Sequence, residues 1–179
     1  KSQYLLGPGD IIFINFLGLE IYSKNYAINK NGIINLPELG DTYVSDLTKK
    51  ELISKLEKEY EEYFKNPNLE IEITNYRQVT VYLNGEIKRP GLYAEPFKNV
   101  DKDTLNTNSF KLFDLIKLGG GFTNNADLSN IIVIRKNAKS QGGGKIKTKI
   151  NFLELLNSGD QFQNIALNDG DYVLINKSN

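Results

Sequence analysis

The side chains in this chain that could take part in acid–base chemistry are mainly carboxylates and phenols, because it contains no His and no Cys. That removes imidazole bases, thiolate nucleophiles and most zinc ligand sets. Glu38 and Asp41 flank one turn and Asp169 and Asp171 another, so each pair could gather a cation. A dedicated calcium loop draws about six to eight oxygens from a patterned segment, and the D-x-D-x-D-G pattern is missing, so turn formation is the expectation for all four. No spacing singles out a carboxylate pair for glycoside chemistry. Gly119 to Gly121 follow an apolar run that reads as a helix, whereas a phosphate loop needs glycines after a strand and before a helix. Gly142-Gly143-Gly144-Lys145 lacks the distal glycine of a Walker loop, and Ile146 stands where Ser or Thr would hold magnesium. Neither run is expected to bind a nucleotide. Tyr76, Tyr82 and Tyr93 could stack on sugar faces, but core or edge packing is the ordinary use of such rings.

What remains is chemistry of the backbone. Leu6, Gly9, Asp10, Ile14 and Asn15 recur as Leu167, Gly170, Asp171, Ile175 and Asn176. In both copies a glycine can take a strained turn position while the aspartate accepts amide hydrogen bonds at the opening of a strand. A turn signal used twice and a duplicated domain both fit, and neither makes the aspartates catalytic.

Several elements must position these turns. Tyr76 to Tyr93 holds alternating Val79, Val81 and Leu83, then Asn84-Gly85 as a tight reversal and Pro90-Gly91 as a second turn. The rhythm changes on either side of it, so it reads as the seam between modules 1–78 and 79–179. Residues 25–39 read as a hairpin turning at Asn31-Gly32, with Pro37 ending the pairing and Gly40-Asp41 turning again. Thr48 and Glu51 have capping-box spacing, and Leu52, Ile53, Leu56, Tyr60, Tyr63 and Phe64 mark the apolar face of a helix that Pro67 stops. Leu69, Ile71 and Ile73 then alternate as a strand. Residues 94–109 read as a long polar loop, and 110–118 as a short helix with Gly119-Gly120-Gly121 as its C-terminal cap. Ala126 to Leu128 suggest another helical turn, 131–134 a strand, 136–145 a charged hairpin tip or a disordered loop, and 152–156 a brief helix capped by Asn151 and closed by Gly159.

Composition excludes more than it selects. Forty per cent hydrophobic and 25% charged residues suit a folded domain or two over 179 residues. With 22 basic against 22 acidic residues, the net charge is zero, which argues against a nucleic-acid partner. No run reaches the roughly 20 apolar residues that span a bilayer. The chain has no Met, so Lys1 is expected to be a processed or trimmed end.

YLLGPGDIIFIN (4–15), the NG turn and LPEL (31–39), Leu47-Thr48 before the helix and Asn66-Pro67 before a strand together resemble the polysaccharide export domain of Wza-like outer-membrane polysaccharide export proteins. VYLNGEIKRPGLY (81–93), LFDLIKLGGGFTNNADLSNIIVIRK (112–136) and INFLELLNSGDQFQNIALNDGDYVLIN (150–176) resemble the SLBB β-grasp domain that follows it in that family.

The resemblance implies an α+β protein, with a small mixed-sheet export module followed by a ubiquitin-like module. It further implies a non-enzymatic, cofactor-free subunit of a capsular or exopolysaccharide channel, located in the periplasm at the outer membrane. Such a subunit forms a homo-oligomeric ring around the polysaccharide and works with an inner-membrane copolymerase of tyrosine-kinase type. The matched positions then serve architecture: Gly9, Asp10, Gly32, Pro37 and Gly40 in the first module, and Gly85, Pro90, Gly91, Gly119, Gly120, Gly170 and Asp171 in the second. A lipidated Cys and an outer-membrane amphipathic helix, found in many and some members respectively, are expected either outside these residues or replaced by a second protein. A periplasmic carbohydrate-binding or assembly-accessory protein without a pore is the alternative, and a carboxylate-dependent polysaccharide-modifying enzyme a third class.

Overall fold

Strands come first in the computed structural model, which describes residues 3–95 and 110–178 of an α+β chain. Two units divide it, Lys1–Arg77 with Asn137–Gly143, and Gln78–Lys136 with Gly144–Asn179.

In unit 1, β1 (Ile11–Phe16) lies between β2 (Lys24–Ala27) and β5 (Leu69–Asn75), both antiparallel to it. The period of two of an extended chain sets the faces of β1: Ile12, Ile14 and Phe16 are buried and the residues between them are only partly so. β3 (Ile33–Leu36) and β4 (Gly40–Tyr43) form a separate antiparallel pair. Helix α1 (Lys49–Tyr60) buries Leu52, Leu56 and Tyr60, and its start is the expected capping box. The Glu51 amide donates to Thr48 Oγ1 at 3.1 Å, and the Thr48 amide donates to Glu51 Oε2 at 2.7 Å. Glu51 Oε1 also accepts the Ser140 amide at 2.7 Å. Burial raises the Glu51 carboxyl, but the hydrogen bonds from Thr48 and Ser140 outweigh it and hold the group below its ordinary value.

Unit 2 is a five-stranded sheet ordered β7-β6-β10-β8-β9, from β6 (Val79–Gly85), β7 (Gly91–Glu95), β8 (Ala126–Lys136), β9 (Lys145–Ile150) and β10 (Tyr172–Lys177). The first and last strands, β6 and β10, run parallel at its centre, and every other pairing is antiparallel. That order is the β-grasp arrangement. α2 (Leu112–Leu118) and α3 (Phe152–Ser158) contribute Leu112, Leu115, Ile116, Phe152 and Leu155 to the same core as Val81, Leu83, Val133 and Val173. Among the described residues the strand pairings of unit 1 are antiparallel, and the parallel pair lies in unit 2.

Several local expectations are corrected. Residues 25–39 are not one hairpin, since β2 pairs with β1 and β3 with β4. The turn at Asn31-Gly32 is real but joins strands of different sheets, and the hairpin reversal falls at Pro37 to Leu39, with Gly40 and Asp41 already in β4. A turn signal marks where the chain bends and says nothing of which strand it will pair with. Asn84-Gly85 is not a two-residue reversal either. Leu83 pairs with Gly91, so the connection is wider and opens β7 at Gly91, while Gly85 stays in register with Ile175 of β10. Ala126 to Leu128 are strand, not helix, because β8 runs on to pair Ala126 with Lys177 past an irregularity in β10. α1 ends at Tyr60, well before Pro67, where the Tyr60 hydroxyl donates to the Pro37 carbonyl at 2.8 Å. Tyr63 is therefore exposed instead of continuing the apolar face. In α2 Phe113 is exposed on one side and stacks on Phe152, while Leu115 takes the inward position. The tip 137–143 is ordered around a short 3-10 turn, with Ala138 buried. Of the long loop expected over 94–109, Ala94 and Glu95 belong to β7 and the rest lies outside the described residues.

Candidate functional site

The repeated Gly-Asp segments form the same corner in each unit. Asp10 and Asp171, 0% and 1% exposed, are the most secluded charged residues among those described. In the first corner the Asp10 amide donates to the Gly7 carbonyl (3.1 Å), and the Gly7 amide donates back to Asp10 Oδ2 (2.9 Å). In the second the Asp171 amide donates to the Asn168 carbonyl (3.1 Å), and the Asn168 amide donates to Asp171 Oδ2 (2.8 Å). Gly9 (φ 97°) and Gly170 (φ 83°) occupy the left-handed position just before each aspartate, where a Cβ is disfavoured.

The two corners then hand the chain to different neighbours. Gly9 donates to the Ile28 carbonyl and Ile28 donates back to the Asp10 carbonyl, a closed exchange with one residue that suits antiparallel pairing. Gly170 donates to the Thr80 carbonyl, and the Tyr82 amide donates to the Asp171 carbonyl, the slanted pattern of parallel strands. Sheets of different order and direction thus start from one turn, which fits a repeated turn signal and not a duplicated domain.

Each buried carboxylate has an arginine that sequence reasoning missed. Arg77 gives Asp10 its backbone amide at Oδ1 (2.7 Å) and its Nη1 at Oδ2 (2.7 Å), while the Tyr4 hydroxyl donates to Oδ1 (2.7 Å). The guanidinium lies 5.2 Å from the Tyr4 ring centre, and Tyr76 packs edge-on against that ring. Burial, then the Asp10 charge, pushes the Tyr76 phenol up. Arg135 grips Asp171 with a fork: Nε donates to Oδ1 at 2.8 Å, and Nη2 donates to Oδ2 and to the Ala166 carbonyl, the latter at 2.7 Å. A signal for these partners was present, for only three of the 22 basic residues are Arg. A planar fork suits a buried carboxylate better than an ammonium does. The third, Arg89, donates from Nη2 to the Leu118 carbonyl at 3.0 Å.

The other expected positions lie at turns. Gly32 (φ 78°) follows Asn29, whose side chain accepts the Asn31 and Ile33 amides. A Cβ on Gly32 would overlap the Ser45 hydroxyl. Pro37 leads into the β3–β4 turn and Gly40 (φ 69°) leaves it. Pro90 precedes β7 and Gly91 begins it. Gly119 closes α2 with its amide on the Leu115 carbonyl, and Gly120 (φ 79°) turns away. Of the acidic pairs, Glu38 accepts the Tyr22 hydroxyl, Asp41 the Asn35 amide and Asp169 the Thr80 amide. They do not come together as clusters, and no group of three or more potential metal ligands occurs among the described residues.

Chemically, both corners are closed. Asp10 accepts from four donor groups, which fills the lone-pair sites of a carboxylate, and its charge is paired. Carboxylates so shielded and so occupied set backbone geometry and are not placed to take a substrate proton. In unit 1 a cleft of about 350 Å³ lies between Phe16 to Leu19 and residues 63–69. Among the described residues no helix is long and apolar enough to cross a membrane.

Residues 1–74 match the family described as polysaccharide biosynthesis/export protein, and residues 79–175 match the SLBB domain. The chain is 27% identical over 180 residues to the polysialic acid transport protein KpsD of Escherichia coli, covering 98% of this chain and 28% of KpsD. It is 26% identical over 153 residues to the EPS I polysaccharide export outer membrane protein EpsA of Ralstonia nicotianae, covering 85% of this chain and 35% of EpsA. It therefore spans between 28% and 35% of the length of these curated relatives.

Proposed function

Because the chain belongs to the Wza-like polysaccharide export proteins, which join an export domain to an SLBB domain, we propose that it is the envelope subunit of a capsular or exopolysaccharide export channel. In this reading copies associate into a ring in the periplasm at the outer membrane, polysaccharide passes through the ring, and an inner-membrane copolymerase of tyrosine-kinase type delivers it. The boundary between modules 1–78 and 79–179, and the architectural role of the glycines and aspartates at the corners, belong to the same proposal.

The observation that carries it is the order of the two family matches, export domain then SLBB domain, end to end along nearly the whole chain. The corners support it as well. A conduit subunit must keep its shape while a hydrated polymer slides past, and a turn fixed by a buried ion pair adds rigidity without offering a reactive group. Apolar side chains for self-association are available, with Ile21 at 86% and Phe162 at 91% exposure.

The test is the mass of the full-length protein in detergent, together with polymer at the surface of cells lacking it. A defined multimer and loss of surface polymer are expected. A strict monomer would remove the ring, and undiminished surface polymer would remove the export role.

A further inference from the structure

Among the described residues, α2 and α3 pack on one face of the unit 2 sheet, and the other face carries neither. Val81, Leu83, Val133, Val173 and Ile175 point into the core, so the alternate residues of the same strands point the other way. Register places one residue per strand in a single row across that face: Leu92, Tyr82, Tyr172, Ile134 and Lys147. Tyr82 and Leu92 are 56% and 57% exposed. The Asn84 side-chain amide donates to the Tyr172 hydroxyl at 3.0 Å, which fixes that ring. On the edge strand β9, Lys145, Lys147 and Lys149 share this face and are all exposed. None of the three makes an ion pair among the described residues. No Asp or Glu stands in that row or at the paired outward positions beside it, Thr80, Ala94, Asn84, Leu174, Ile132 and Lys149, whereas Asp127, between the core-packed Ala126 and Leu128 at the start of β8, points away from the core.

We propose that this open face binds an acidic polysaccharide laid across the strands, with its sugar faces on Tyr82 and Tyr172 and its carboxylates at Lys147 and Lys149. The inference rests on the export reading for the class of polymer and on the surface for its charge. Alternate residues of β9 stand about 7 Å apart, and β7 to β9 spans about 19 Å, so a polymer crossing the sheet meets aromatic rings first and a comb of cations last. Unpaired ammonium groups at the end of an apolar track match a chain that alternates C–H-rich ring faces with negative charge. A nucleic-acid binder neutralises about 6–10 phosphates, more than this comb supplies on a chain of zero net charge. Lysines on an edge strand also discourage strand pairing, but edge protection alone does not require an acid-free row beside exposed rings.

The whole 179-residue chain is titrated against polygalacturonate and against neutral dextran, with duplex DNA and phosphatidylglycerol vesicles as competitors. Polygalacturonate is expected to bind and to weaken with salt, and dextran to bind far less. Lys147→Glu with Lys149→Glu should lose about tenfold or more in affinity, from two lost exposed pairs and added repulsion. The milder Lys147→Gln with Lys149→Gln, checked for native circular dichroism, should lose severalfold. Tyr82→Ala should weaken binding while leaving its salt dependence unchanged.

Equal binding of dextran, no binding of polygalacturonate, or indifference to both lysine pairs overturns the proposal. Competition by DNA or vesicles as strong as by the glycan overturns the choice of occupant. Failure here and failure of the export reading are separable. Cells that lose surface polymer on deletion, with no glycan binding by the purified chain, would sink only the face. Cells that keep it while the purified chain binds polygalacturonate would sink only the export role.

Discussion

Asp10 and Asp171 open their strands with the same turn, yet their carboxylates are held in different ways. Asp10 receives Tyr4, the Gly7 amide and both the backbone and side chain of Arg77, so three donors survive loss of the guanidinium. Asp171 receives the Arg135 fork and the Asn168 amide, so loss of Arg135 leaves it one donor. The lesson is that a turn dictated by sequence sets local geometry, whereas the cost of breaking it depends on how many remote groups share the buried charge. An isolated buried charge is expensive, and each remaining hydrogen bond reduces that expense.

The largest effect is expected at the second corner. Arg135→Met should destabilise unit 2 by about 3–5 kcal/mol, the usual cost of stripping the partner from a buried charge. Exchange of β6, β8 and β10 amides with deuterium would read it out. Arg77→Met should cost unit 1 about 1.5–3 kcal/mol, the range for losing a charge-assisted hydrogen bond when others remain. Equal losses would break the contrast between the corners.

Next come two glycines that contrast in surroundings. A Cβ at Gly85 (φ 90°) would overlap the Ile175 carbonyl oxygen at the parallel β6–β10 pair, while one at Gly40 (φ 69°) meets nothing within 4 Å. Gly40→Ala should cost only the left-handed strain, about 1–2 kcal/mol, and Gly85→Ala clearly more, as urea unfolding of each variant would show.

A smaller effect is expected at the start of α1. Thr48→Ala should cost about 1 kcal/mol through the lost cap. Because the Glu51 carboxyl is held below its ordinary value, the stability it contributes is complete above that value and is lost as pH falls through the lowered one. Glu51→Gln should therefore flatten the acid limb of unit 1 stability, and an unchanged limb would deny the cap its charge. Smallest of all is the exposed Lys55–Glu59 pair at 3.9 Å, where Lys55→Gln should change stability by no more than about 0.5 kcal/mol.

Much of this was legible in the chain. Gly-Asp corners show because a positive-φ glycine followed by an acceptor is a local requirement, satisfied within five residues. The capping box of α1 shows for the same reason. Strand partners do not, since Asn31-Gly32 announces a bend without saying that β2 will join β1 and β3 will join β4. Ala126 to Leu128 carry no strand pattern of their own and are extended where β10 pairs Lys177 with Ala126. Arg77 and Arg135 lie 67 and 36 residues from their aspartates, a separation over which spacing carries no information, and only their scarcity among the lysines marks them.

The claim that a buried carboxylate sets each corner, at a cost graded by its remaining donors, is tested most directly by native-state hydrogen exchange of Arg77→Met and Arg135→Met side by side. The account predicts that Arg135→Met lowers protection of its own unit by at least about tenfold more than Arg77→Met lowers that of the other, as a difference near 1.4 kcal/mol requires. Equal loss in the two units, or a greater loss from Arg77→Met, would contradict it.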